Sequence, residues 1–162
     1  MKATMQCLTC VTPTSAALIG TALRSANLRD ANLRAARLNH ASLRGADLRE
    51  ANFSETSLRN ADLRYCDMRG VVLNNLTDLV QADLGDADLR GAILSDADCW
   101  RADLSGAKLT GATLHGTDLS YANLRGADLR NAYLQNVQLH SANLANSRFS
   151  EGQKEALAAT SN

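Results

Sequence analysis

Cys7 and Cys10, in the stretch CLTC, are the first residues of the chain whose spacing suggests chemistry. Two thiolates so placed make half of a tetrahedral zinc site, and no second CxxC completes it. Cys66 and Cys99 stand alone. Ser95 and His115 would pair as nucleophile and base if the fold stacked residues twenty apart, whereas His40 and His140 are too far apart to join such a step. Arginines recur in two series, Arg24, Arg44 and Arg64, then Arg29, Arg49, Arg69, Arg90 and Arg130, and a basic ladder of that kind could track a phosphate backbone. Val80 and Trp100 are twenty apart, as are Arg101 and Tyr121. Tryptophan, tyrosine and arginine are the side chains that dominate protein-binding hot spots. Each of these readings depends on what the chain does every twenty residues.

What the chain does is repeat every five. Cut from Ala82, it reads ADLGD ADLRG AILSD ADC. With the central residue of each unit called i, there are 27 units over residues 16–151, centred at 18, 23 and onward to 73, then at 79 and onward to 149. Position i is Leu in 23 units, with Phe53, Met68, Cys99 and Phe149 in the rest. Position i−2 is Ala in 19, i−1 is Asp or Asn in 15, and i+1 is Arg in 11. A helix would scatter leucines five apart around its cylinder, and a straight strand would send alternate ones to opposite faces. The period works only if the backbone bends once per unit, so that i and i−2 both point inward and the next two residues turn. A secondary period of twenty places Thr56, Thr77 and Thr117 in one column and the Arg29 series in another, which favours four sides per coil.

ANLRG, ADLRN, ADLSG and ADLRG resemble the A-[D/N]-L-x-x motif of the pentapeptide-repeat family, over 136 of the 162 residues. The resemblance implies an all-β solenoid, a right-handed quadrilateral β-helix with four pentapeptides per coil. About seven coils stacked at strand spacing would make a rod on the order of 33 Å long. In some family members a C-terminal element mediates dimerisation, so the resemblance leaves a homodimer through an end cap open. The best-understood functional class contains rods that resemble duplex DNA and modulate DNA gyrase or topoisomerase IV. Such mimicry needs a strongly acidic surface, whereas this chain has a net charge of zero and an i+1 position rich in Arg.

Residues 1–15 fall outside the repeat, as a cap or a flexible segment; 16–151 form the β-helix; 152–162 read as a short C-terminal capping helix and tail. Ser150 with Gln153 three residues on resembles a capping box, and QKEALAA has high helix propensity. The register slips once, between Leu73 and Leu79, where Leu76 is taken as the extra residue, a corner bulge. The start of the sequence has no apolar stretch long enough for a signal peptide, and no transmembrane run follows, so the chain is expected to be soluble and cytoplasmic.

Placed on four sides, most reactive groups lose their chemistry. Cys66 and Cys99 take inward positions as small hydrophobes. Ser95 and His115 stack on a flat face with no orienting third group and no concavity. The Arg29 series lies beside Asp47, Asp67 and Asp88, a self-neutralising surface, so direct nucleic-acid binding is not expected. No catalytic residue, metal, cofactor or membrane contact is expected. The expectation is a non-enzymatic structural or protein-interaction rod with an unidentified protein partner. The candidate partner surface is Leu76, Val80, Trp100, Arg101 and Tyr121, with Leu76 and Val80 extending Trp100 into an exposed strip along the rod.

Overall fold

The computed structural model describes residues 17–74 and 76–153, and of the tail Glu155 and Leu157. The expected N-terminal segment, with Cys7 and Cys10, lies outside these residues. Bridges form at i−1 and all are parallel: Asn27 pairs with Asp47, Asn32 with Asn52, Arg37 with Ser57, and Ser42 with Asp62. The partner is twenty residues on, so a turn of the chain takes four units and has four sides. Face 1 carries the units of Leu58, Leu79, Cys99 and Leu119; face 2, those of Leu63, Leu84 and Leu104; face 3, those of Leu48, Met68 and Leu89; face 4, those of Phe53, Leu73 and Leu94.

The hydrogen bonds explain the residue preferences. Leu28 N–H donates to the Asp47 carbonyl at 2.8 Å, and Asp47 N–H to the Ala26 carbonyl at 3.0 Å. At the corner Ala31 N–H donates to the Leu28 carbonyl at 3.1 Å, closing a four-residue turn whose third member, Asp30, has φ +57°. Positive φ there is the type II signature, which glycine, Asn and Asp adopt most readily. The ladder gives the N–H of i+1 no carbonyl partner, and the i−1 side chain supplies one. Asn32 Oδ1 accepts from Arg34 N–H at 3.2 Å, and Asp103 Oδ1 from Ser105 N–H at 2.8 Å. Asp or Asn is favoured at i−1 because either satisfies a donor that would otherwise be left over.

Inside, i and i−2 form one continuous core: Leu104 is 1% exposed, and Ala102 and Leu109 are fully buried. Alanine at i−2 leaves room for the large neighbour at i. Where a hydroxyl replaces it, a carbonyl of the preceding turn accepts: Thr56 Oγ1 donates to Leu33 at 2.7 Å, Thr77 to Phe53 at 2.9 Å, and Thr117 to Leu94 at 2.8 Å. These bonds meet the requirement that a buried polar group be paired. Cys66 and Cys99 are free thiols in this core, and burial pushes Cys66 up to about 12 and raises Cys99 as well.

The slip in register corrects one expectation. Bridges crossing it span 21 residues, as in Ser57 with Asp78 and Val72 with Ile93. Asn74 sits where Ser54 sits one turn earlier, and Ser54 Oγ donates to its Oδ1 at 2.7 Å. Leu76 has φ +67° and takes the left-handed corner slot in the column of Glu55 and Asp96. Leu76 is therefore a regular corner residue and not the added one. At the C-terminal end Gln153, Glu155 and Leu157 have helical backbone. Only half of the expected capping box forms. Ser150 N–H donates to Gln153 Oε1 at 2.6 Å, but the Ser150 hydroxyl turns away to Asn131 Oδ1 at 2.8 Å. Asn131 takes the hydroxyl, its own N–H also donating to Ser150 Oγ at 2.9 Å, while Gln153 Nε2 donates to the Leu129 and Ala132 carbonyls at 3.3 and 2.9 Å and ties the segment to the preceding turn.

Candidate functional site

Faces 1 and 3 share a backbone and differ in what they do with charge. On face 3, Asp47, Asp67, Asp88 and Asp128 each hold a forked hydrogen bond from the arginine two residues on, with Nε to Oδ1 at 2.8 Å in every case. Each arginine bond holds its aspartate below the usual carboxylate range. Arg49 also lies 3.6 Å from Asp67 on the next turn. The Arg29 series is thus largely neutralised by its own surface, as the sequence suggested. In the other series, Arg24 donates to Ser42 Oγ at 2.9 Å, Arg44 lies 4.9 Å over the Tyr65 ring, and Arg64 bridges Asp62 and Asp83 at 2.8 and 3.2 Å.

On face 1 the aspartate column continues as Asp78, Asp98 and Asp118, joined by successive bridges. Arg59 pairs with Asp78. One and two turns further on, the i+1 position holds Trp100 and Ser120 in place of arginine. Asp98 Oδ1 accepts Trp100 N–H at 3.0 Å and Asp118 Oδ1 accepts Ser120 N–H at 2.8 Å; neither carboxylate has an ion-pair partner among the described residues. Beside them runs an aromatic row. Trp100 and Tyr121 meet edge to face with centroids 6.0 Å apart, and Tyr121 meets His140 at 5.4 Å. The Arg101 guanidinium lies 4.2 Å over the indole and 5.8 Å from the Tyr121 centroid. Such contacts order the row without closing it off.

The structure brings Trp100, Arg101 and Tyr121 together and separates the rest of the predicted strip. Val80, flanked one turn to either side by Arg59 and Trp100, is only 5% exposed although it points away from the inner core. Trp100 is half-buried and less exposed than Leu76, at 80%, or Tyr121, at 47%. The strip is therefore interrupted, with Leu76 on the corner between faces 4 and 1.

Ser95 and His115 are adjacent on face 4, but no hydrogen bond joins them among the described residues. No group of three or more His, Cys, Asp or Glu side chains placed to hold a metal occurs among the described residues, and no helix there is long and apolar enough to cross a membrane. Sequence reasoning passed over one feature. On face 4 the i−1 column turns apolar as Val72, Ile93, Thr113 and Tyr133, a bridged outward ladder ending in a Tyr133 that is 69% exposed. Its signal was present, since i−1 departs from Asp and Asn at twenty-residue steps.

A family model described as Pentapeptide repeats matches in 8 copies, over residues 14–49, 36–75, 82–120 and 112–150. Among solved structures the chain is similar to HetL, a pentapeptide repeat protein involved in heterocyst differentiation regulation in the cyanobacterium Nostoc sp. strain PCC 7120. That match has 36% identity over 83% of this chain and 68% of that one, with a TM-score of 0.55. It is also similar to a pentapeptide repeat protein of the Arabidopsis thaliana thylakoid lumen (28% identity, 71% and 74% covered, TM-score 0.44). QnrB1, a plasmid-mediated fluoroquinolone resistance protein, matches with 18% identity, 90% and 95% covered, and a TM-score of 0.49. No curated protein matches closely enough to count as a relative.

Proposed function

The chain belongs to the pentapeptide-repeat family, and from that premise we propose that it is a non-enzymatic interaction rod, a right-handed quadrilateral β-helix of about seven coils that presents face 1 to another protein. In this reading residues 16–151 are the rod and 152–162 its capping helix and tail. The observation that carries it is the row of Trp100, Tyr121 and His140 with Arg101 laid over it. A large aromatic and an arginine, partly desolvated by each other, have the composition of a binding hot spot. The similarity to HetL, a protein involved in heterocyst differentiation regulation, supports a regulatory role. Free buried thiols at Cys66 and Cys99 fit a reducing, cytoplasmic setting. A duplex-DNA mimic acting on gyrase is the weaker reading, because the arginine forks cancel the carboxylates of face 3 and the whole chain is neutral.

The test uses the wild-type protein and Trp100→Ala as baits in lysate of the source organism, with captured proteins identified by mass spectrometry. Far-UV circular dichroism confirms that both baits are folded. A partner held by the wild type and lost by Trp100→Ala is the expected result. Identical captures by both baits would refute the reading. A supercoiling assay separates the weaker alternative, with no effect on gyrase expected.

A further inference from the structure

We propose that face 1 takes an extended, arginine-bearing segment of its protein partner, with guanidinium groups on Asp98 and Asp118 and apolar side chains against Trp100, Tyr121 and Leu76; this rests on the interaction reading above. The molecule carries its own comparison, face 3 against face 1. On face 3 every aspartate at the bridged position, Asp47, Asp67, Asp88 and Asp128, is answered by an arginine fork from i+1, and the column's other members, Asn27, Lys108 and Arg148, carry no negative charge. On face 1 the same column is answered once, by Arg59 on Asp78. At the next two turns the outward oxygen Oδ2 of Asp98 and of Asp118 is left without a cation while Oδ1 is spent on a backbone N–H. Stacked about 4.8 Å apart, neighbouring carboxylates repel by roughly 1 kcal/mol even at the dielectric of water. Arg101 does not relieve them, because its guanidinium lies over the Trp100 and Tyr121 rings.

A ligand with positive charge and apolar bulk at close spacing completes this surface. Guanidinium fits best, since the fork geometry on face 3 already satisfies the same carboxylate on the same backbone. A phosphate backbone is repelled by the two aspartates, which leaves a basic stretch of protein. The face is one coil side wide and runs lengthwise, so the segment lies extended along it, with about four or five residues in contact between the levels of Leu76 and Tyr121.

Trp100 is the only tryptophan of the chain, so its fluorescence reports from the site. The probe is a short synthetic peptide alternating leucine and arginine, titrated into the full chain alongside the same peptide with glutamate for arginine. A saturable change with the arginine peptide alone is expected, weakening with added salt. Asp98→Asn with Asp118→Asn should reduce its affinity about tenfold. Asparagine keeps the Oδ1 acceptor and so preserves the fold. Asp86→Asn, at a corner between faces 2 and 3, should leave the affinity unchanged. No saturable change, equal binding of the glutamate peptide, or an undiminished affinity in the double variant each overturn the proposal. Capture of a partner that requires Trp100 but ignores the two asparagines also overturns it while leaving the interaction reading standing; capture indifferent to Trp100 overturns that reading instead.

Discussion

Gly106 and Gly111 occupy successive corners with nearly the same backbone, φ +67° and +69°, and differ in their surroundings. A Cβ added at Gly111 meets nothing within 4 Å, whereas one at Gly106 collides with the Asp86 carboxylate of the preceding turn. Both alanine substitutions impose the left-handed backbone cost of about 1–2 kcal/mol. Stiffening of the unfolded chain offsets about 0.4–1 kcal/mol of that. Gly111→Ala should therefore lose roughly 1 kcal/mol. Gly106→Ala should lose about 1 kcal/mol more, the scale of driving the short, exposed Asp86 side chain off its rotamer. Urea unfolding of the two variants measures the difference, which corresponds to about 2–4 °C in melting temperature for a chain of this size. In an Asp86→Ala background the two losses should become equal. Equal losses in the single variants, or an excess at Gly106 that survives without Asp86, would show that corner contacts between turns do not set the tolerance of these positions.

Leu104→Ala, at a core position, should cost about 2–5 kcal/mol, while its outward neighbour Ser105→Lys should change stability by about 0.5 kcal/mol or less; comparable losses would undo the inward and outward assignment. Because arginine bonds hold Asp47, Asp62, Asp67, Asp88 and Asp128 below their ordinary values in the folded chain, the unfolded chain takes up protons first as pH falls. Their stabilisation should be complete above about pH 5 and disappear progressively as pH falls through the ordinary and then the lowered values, so the melting temperature should decline more steeply in acid for the wild type than for a variant with these aspartates changed to asparagine. Cys66 and Cys99 should resist a thiol reagent in the native protein and react on unfolding, since burial raises both thiols; rapid native labelling at either would contradict the core. Chelation should leave the melting temperature unchanged, and a fall of many degrees would revive Cys7 and Cys10 as ligands.

The sequence announced burial at Leu104 and Ala102 because periodicity decides which way a residue points. Periodicity does not say how well an outward residue is covered, so Val80 read as exposed when Arg59 and Trp100 stand one turn to either side of it. Leu76 read as surplus because five-residue counting cannot tell which member of a six-residue interval keeps the corner conformation; a backbone angle decides that. Trp100, Arg101 and Tyr121 were legible as neighbours, since a twenty-residue step aligns them. The missing cations at Asp98 and Asp118 were legible only once the arginine forks on face 3 could be seen. The Ser150 cap differed because its hydroxyl found Asn131, nineteen residues back, a contact that local sequence rules do not anticipate.

The bond from Oδ1 at i−1 to the N–H of i+1 does not distinguish a carboxylate from a carboxamide. Ten of the fifteen such positions now hold Asp and five hold Asn. Exchanging one for the other keeps the backbone bond intact and alters only the outward oxygen or amide. Through these positions alone, the net charge could move from zero to +10 or to −5 with the turn-to-turn hydrogen bonding preserved. Electrostatic character is thus a dial mounted on an unchanging frame. Divergent lineages of such coils can try out anionic, neutral or cationic exteriors without first solving the folding problem again, and a designer can repaint one side at a time.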